Sequence, residues 1–420
     1  MRAASSTLQG PLSGLKVIEL GQIMAGPTCG LVLAGMGATV YKVEKIPEGD
    51  DGRSFRPPEI GHESAGFMML NANKRSLALD LKHPLGKQVL RRMIAECDVV
   101  IENFRRGTLD RLGFGFEAMQ ELNRGIILCS ISGFGRTGPY ADKGGFDLIA
   151  QGESGIMSVN GESPGRPPIK CGVPVTDLGS GIFAATGILA ALYHRQKTGQ
   201  GQVVDTSLFE TGIFFTTWPS AIYAATGEDA VPQGSAHFMS APYQAFEAAD
   251  GWFNLGGSNQ RTWLGIVRAF GLERLAEDPR FHENKQRMEN LSALVAELAP
   301  VFRRLPVKEI LARLEAEGVP AGPINKISQV HADPQTLARE MIVEVPHTGT
   351  GRVKAIGAPV KFSSTPGGIV RGAPLLGEHT GEILSEFGFS PDEIEALHAA
   401  GAIAYRDDPA LKEAALSTHP

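Results

Sequence analysis

The chain predicts an α/β fold whose larger domain is an open, doubly wound parallel sheet, with a smaller α+β domain beside it. Three observations carry this. Over the first 135 residues, short apolar runs of strand length alternate with stretches of helical spacing. Glycines and basic residues recur directly after those runs, at the strand ends where such sheets bind their ligands. Near residue 225 the texture changes to a hairpin followed by amphipathic helices.

Taken in order, LKVIEL (15–20) is a buried-strand run, and PTCGLVLAGMG after it is a small-residue helix. ATVYKVE (38–44) is a second strand and SLALDL (76–81) a third. HPLGKQVLRRMIAE (83–96) has helical spacing with Pro near its start, and CDVVIENF (97–104) and GIILCSISGFG (125–135) are strands again. Residues 136–171 are rich in Gly and Pro and read as loops of the large domain, whose first part spans 10–215. A helix is expected from Leu178 to about Lys197, then a further element at VVDTSLFE. The smaller domain covers 225–335 and opens on YQAFEAADGWFNLGG, a hairpin turned at Asp250-Gly251. Residues 340–404 return to strands, loops and a last helix in SPDEIEALHAAGAI, before a polar tail at 405–420.

Composition narrows the function. The 420 residues are 42% hydrophobic and 20% charged, with a net charge of -6, which argues against general nucleic-acid or membrane-surface binding. No apolar run is read as long enough to span a bilayer, and MRAASSTLQG lacks the apolar core of a signal peptide. Cys29, Cys97, Cys129 and Cys171 are scattered without a CxxC pair, so neither a zinc site nor a disulfide frame is expected and the cytoplasm is the expected location.

Several chemistries drop out. The first strand–helix–strand unit ends in Glu44, an acid suited to a ribose, but its turn is GQIMAGP and lacks the glycines of a dinucleotide fingerprint. There is no HxxxH or HExxH, no GxSxG elbow and no P-loop. What remains is a series of basic residues after successive strands: Lys45, Lys82, Arg105, Arg106 and Arg111. On an acidic protein they read either as solvated surface or as a groove for a phosphorylated ligand, and their recurrence favours the groove. Asp177, in GVPVTDLGSGIFAATG, stands between an extended apolar run and a helix. Position alone makes it a helix N-cap or a nucleophile.

GLKVIELGQIMAGPTCGLVLAGMGATVYKVEK, NANKRSLALDLK, DVVIENFRRGTLDRLG, SISGFGRTGPY, VTDLGSG and LLGEHTGEILSEFGFS together resemble the class III CoA-transferase family, over about residues 11–404. The resemblance implies a Rossmann-like large domain built from both ends of the chain, a small domain, and a ring-shaped chain interlocked with a second copy. It implies Asp177 as nucleophile and CoA contacts at Lys45, Leu79, Asp80, Leu81, Lys82, Asn103, Phe104 and Arg111. It implies a second acid at Asp147 and a mobile glycine loop at GGSNQ, including Gly256, Gly257 and Gln260, whose backbone N–H groups would stabilise an oxyanion. The pair of substrates would be an acyl-CoA thioester and a carboxylic acid, with no metal and no permanently bound cofactor. Where the oxalate-specific members carry a glutamine before AGP and a tyrosine ahead of NKRS, this chain has Met24 and Gly66, which points away from oxalate and towards a larger acyl group. The related α-methylacyl-CoA racemases carry a histidine before the second acid. Phe146 stands there and cannot exchange a proton, so transfer is expected rather than racemisation. A racemase or isomerase, and a CoA-binding protein in which Asp177 is only a cap, are the alternative readings.

Overall fold

The computed structural model describes residues 9–411. The chain divides into two compact units. The first takes the described residues up to Ser154, then Gly172–Phe215, then the described residues from Pro334 onward; the second takes Gly155–Cys171 and Thr216–Asp333. Residues 155–171, read from sequence as part of the large domain, thus group with the second unit. Their one helix, Ile156–Val159, buries no residue, so no apolar pattern marks where the segment belongs.

The first unit is built on a seven-stranded sheet. Across it lie Ile403–Ala404, Arg75–Leu79, Thr39–Glu44, Lys16–Glu19, Val99–Glu102, Ile127–Ser132 and Val203–Ser207. The six strands before residue 210 are mutually parallel and run 3-2-1-4-5-6 in chain order, the doubly wound order of dinucleotide-binding folds. Val17 is in register with Val40 on one side and Val99 on the other. Both faces of the inner strands are covered, so those strands are mostly apolar on both sides. Ile18, Tyr41 and Leu77 pack under the helix Pro84–Glu96, while Val17, Val40 and Ile127 pack with Cys29, Leu33 and Ala184 on the opposite face.

Two helices on that second face approach very closely. A Cβ at Gly181, in helix Val175–Thr198, would lie 2.6 Å from Thr28 Cβ and 2.7 Å from the Ala25 carbonyl of helix Ala25–Gly35. Helix Val175–Thr198 starts three residues before Leu178, where the sequence placed it, because its first turn is bound by other parts of the unit. With 24 residues it is also long and apolar enough by composition to cross a membrane, contrary to the expectation that no stretch would be. Its apolar character serves packing: Ala184, Ala185, Ile188 and Ala191 are buried against the sheet.

The last helix stops at Ala399, because Gly401 turns the chain with φ 73. Ile403, read from sequence as the end of that helix, instead begins Ile403–Ala404, which adds an antiparallel strand to Arg75–Leu79. The expected polar tail is also shorter than its stated bounds: Leu411 is buried against Ala78 and Ala404, and residues 412–420 lie outside the described residues.

In the second unit, strands Tyr243–Ala248, Gly251–Gly256 and Ala321–Pro323 form an antiparallel sheet. Ala248 pairs with Gly251, so the two-residue turn is Ala249-Asp250, one position earlier than expected. Asp250 accepts the Val307 N–H at 2.7 Å and ties the turn to the start of helix Val307–Ala316. Phe246, Phe253, Trp263, Leu298, Phe302 and Leu314 make the core.

Candidate active site

Doubly wound sheets bind ligands where the strand order reverses, because neighbouring loops there run in opposite directions and leave a crevice. In this sheet that point lies between the carboxyl ends of Lys16–Glu19 and Val99–Glu102. A cleft of about 370 Å³ opens there, lined by Gln22, Met24, Asn103, Phe104, Phe146 and Asp177 among others. Its floor is stitched across the two strand ends. Asn103 Oδ1 accepts the Gln22 N–H and its Nδ2 donates to the Gln22 carbonyl, both at 2.9 Å. The GQIMAG turn closes so tightly that a Cβ on Gly21 would meet Gly26 Cα at 2.9 Å. Within it Ile23 has φ 65, a strained conformation for a β-branched residue, and its N–H is held by Asp50 Oδ1 at 2.9 Å.

Asp177 is the third residue of helix Val175–Thr198. Pro174 occupies the cap position without any side-chain cap bond, so Asp177 is not the N-cap. Its half-buried carboxyl accepts no hydrogen bond from any described residue. Burial pushes its pKa up to about 7, and the charge of Asp147 adds to the rise. Although helix N–H groups near the first turn favour an ionised carboxylate, desolvation and a neighbouring carboxylate push the other way here. Asp147 is anchored where Asp177 is free. Its Oδ1 accepts the Thr176 N–H at 3.0 Å and the Thr176 hydroxyl at 2.7 Å, and its Oδ2 accepts from Gln151 at 2.7 Å.

Met24 and Phe146 both line the cleft, and Phe146 is 72% exposed rather than packed in the core. Gly66 lines neither this cleft nor the next one.

A second cleft of about 620 Å³ is lined by Lys45, Arg53, Arg56, Asp80 and Lys82. Asp51 lines both clefts, and it pairs with Lys45 at 2.6 Å. The structure therefore brings Lys45, Asp80 and Lys82 to one wall, and Asn103, Phe104, Met24 and Asp177 to the adjoining space. Leu79 is a core residue and Leu81 packs against that core, so from the LDLK run only Asp80 and Lys82 line the cleft. Arg111 lines neither cleft, and its guanidinium donates to the Thr108 hydroxyl at 3.0 Å. Glu44 is buried, held by Arg53 at 2.7 and 2.9 Å and by Ser76 at 2.7 Å, so it cannot hold a ribose.

Sequence reasoning missed Arg53 and Arg56, and with them a set of buried charges beneath the site. Glu19 bonds Lys42 at 3.0 Å and Lys74 at 2.8 Å, and Lys42 pairs with Asp50 at 2.7 Å. Through Asp50 this network reaches Ile23 and the cleft floor. Its signal was present as single charges inside apolar strand runs, in VIEL and YKVE.

The loop Gly256–Gln260 belongs to the second unit. Gly256 N–H donates to the Pro320 carbonyl and Gly257 N–H to the Pro242 carbonyl, each at 2.8 Å; Ser258 N–H donates to the Gly256 carbonyl at 2.9 Å. Gln260 donates to the His282 carbonyl at 2.8 Å and accepts from Arg287 at 2.9 Å. The amides expected to be bare for an oxyanion are satisfied internally in this conformation.

Residues 12–380 match the family described as CoA-transferase family III. The chain is 35% identical to a mouse protein named succinyl-CoA:glutarate CoA-transferase, over 94% of this chain and 90% of that one. It is 38% identical to a Haloarcula hispanica protein named succinyl-CoA:mesaconate CoA-transferase, over 90% of this chain and 97% of that one. Among solved structures, a CAIB/BAIF family protein from Brucella suis superposes with a TM-score of 0.81 at 39% identity, covering 90% of this chain and all of that one, 100%. An α/β sheet with a ligand cleft at its switch point, one unbonded carboxyl in that cleft, and matches along nearly the whole chain agree: the protein belongs to CoA-transferase family III.

Proposed function

We propose that this enzyme moves CoA from succinyl-CoA to a small dicarboxylic acid through covalent intermediates on Asp177. The observation that carries this reading is the Asp177 carboxyl itself: it faces the switch-point cleft and accepts no hydrogen bond from a described residue, so its lone pairs are open to attack a carbonyl. The substrate pair follows the relatives named for succinyl-CoA with glutarate and with mesaconate.

In the ionised state, Asp177 attacks the donor thioester carbonyl and expels CoA thiolate, leaving a mixed anhydride. The thiolate attacks the aspartyl carbonyl and releases the donor acid, leaving an aspartyl-CoA thioester. The acceptor carboxylate attacks that carbonyl, again expelling thiolate, and the thiolate then takes the acceptor acyl group and frees Asp177. Dividing the exchange this way avoids one difficult displacement. Lys45 and Lys82 line the adjoining cleft and supply positive charge for the phosphates of CoA. Met24 and Phe146 give the acyl end an apolar border in place of an oxalate-sized polar one. Self-association as an interlocked homodimer is part of the same proposal; the exposed Phe146, Ile182, Tyr193, Phe214 and Phe215 of the first unit support it.

The experiment is to trap the acyl-enzyme. The purified protein is incubated with succinyl-CoA without acceptor and then treated with hydroxylamine. A hydroxamate mass confined to the peptide containing Asp177 is expected. Full transfer activity with no modified aspartate would assign the reaction to direct exchange between donor and acceptor.

A further inference from the structure

The first unit holds another cavity, of about 360 Å³, that shares no lining residue with either cleft described above. His347, Thr348, Arg371, Glu378, His379 and Lys74 contribute its polar lining. Three of these, His347, His379 and Arg371, supply donors to it. His347 Nδ1 accepts the N–H groups of Gly349 and Thr350, both at 3.2 Å, so its Nε2 carries a proton. That Nε2 is buried and has no hydrogen-bond partner among the described residues, while His347 as a whole is 7% exposed. His379 repeats the pattern: its Nδ1 accepts the Ser76 N–H at 3.3 Å, which again leaves the proton on Nε2. Burial holds His379 below its ordinary pKa, so the ring is neutral. Arg371 donates to the Asn73 carbonyl at 3.0 Å and forms no ion pair with a carboxylate among the described residues.

The acidic member of the lining is already occupied. Glu378 accepts the Thr348 hydroxyl through one oxygen and the Leu375 N–H, at 2.7 Å, through the other. Lys74 is matched by Glu19. The Arg371 guanidinium, without an ion pair among the described residues, and the Nε2–H groups of His347 and His379 therefore line a cavity of small-molecule size, and the buried His347 donor without an acceptor is a standing penalty that a bound acceptor relieves.

We propose that this cavity is a binding site for a small oxyanion of the phosphate or carboxylate class, held by the Arg371 guanidinium and the Nε2–H groups of His347 and His379. A planar fork flanked by two imidazole N–H donors suits a tetrahedral or carboxylate anion and disfavours a cation. The proposal is independent of the role given to Asp177.

The test is a titration of the full chain, labelled with ¹³C at histidine Cε1, at pH 7, run both with and without saturating CoA. One arm adds inorganic phosphate and the other acetate. The signals of His347 and His379, assigned with His347→Gln and His379→Gln, are expected to shift saturably in at least one arm. The arm that saturates identifies the anion class. Arg371→Gln is expected to weaken the shift by roughly tenfold, with Arg371→Lys falling between it and the parent. No saturable shift of either histidine in the unmutated protein overturns the site, as does an equal midpoint in Arg371→Gln. Loss of the shift only when CoA is present would assign these residues to the CoA site instead and overturn a separate one. The unmutated titration is decisive even if a variant misfolds.

Discussion

Asp147 and Asp177 are bound to each other through Thr176: the Asp147 carboxylate accepts both the amide and the hydroxyl of Thr176, at 3.0 and 2.7 Å, and Asp177 follows directly in the chain. One acid holds three donors and the other has none among the described residues, and the charge of the first helps raise the pKa of the second. Two carboxyls in such different surroundings take different roles: the bonded one positions, and the unbonded one is available to react.

Changing Asp147 to Asn removes that charge while keeping a side-chain oxygen for Thr176. The pKa of Asp177 should fall. The acid limb of the kcat profile is therefore expected to move to lower pH, measured with saturating donor and acceptor. An unmoved limb would show that another group sets it.

Asp177→Ala is expected to reduce transfer on the order of 10³-fold or more while circular dichroism stays unchanged, since no described hydrogen bond to its carboxyl is lost. Retention of a tenth of the activity would remove Asp177 from the reaction.

The same residue has a stability signature. Its pKa rises from an ordinary 3.8 to about 7 in the fold, so the folded state binds the proton more tightly than the unfolded chain does. The contribution favours folding at low pH and is lost as pH rises through about 7. Asp177→Asn should accordingly raise the melting temperature at pH 8, by an amount equivalent to ~1 kcal/mol, with the gain shrinking towards pH 4. A constant difference across that range would contradict the assignment of the shift.

Lys45→Ala and Lys82→Ala are each expected to raise KM for the CoA thioester by roughly 3–10-fold with little change in kcat, more at low ionic strength than at high. Arg111→Ala, which lines neither cleft, should leave KM within about twofold. Equal effects from all three would place CoA differently.

Lys74→Met leaves Glu19 with one of its two buried partners and should destabilise the first unit by ~3–5 kcal/mol. Gly257→Ala puts a Cβ 2.4 Å from the Pro242 carbonyl and should cost ~1–3 kcal/mol in the second unit. Chemical denaturation followed by intrinsic fluorescence reads both losses. A Gly257→Ala protein of unchanged stability would show that the loop shifts freely.

The sequence by itself determined the sheet, because burial of both faces writes each parallel strand as a local apolar run: LKVIEL, ATVYKVE and GIILCSISG become Lys16–Glu19, Thr39–Glu44 and Ile127–Ser132. It also placed Asp177, Asn103 and Lys45 at strand or helix ends, since motif and element lie side by side in the chain. Features governed by long-range contact emerge only in the folded chain. Ile403–Ala404 is a strand because Arg75–Leu79 offers an edge more than 300 residues away in sequence. Residues 155–171 carry no apolar pattern and are assigned only by what surrounds them. Asp177 falls inside the helix rather than at its cap, which Pro174 occupies, and its charge balance is set by burial and by Asp147, thirty positions upstream. Glu19, Lys42 and Lys74 appear in sequence as three unrelated charges, and a fold that removes them from water makes them one network, because a buried ion must find its partners wherever the chain brings them.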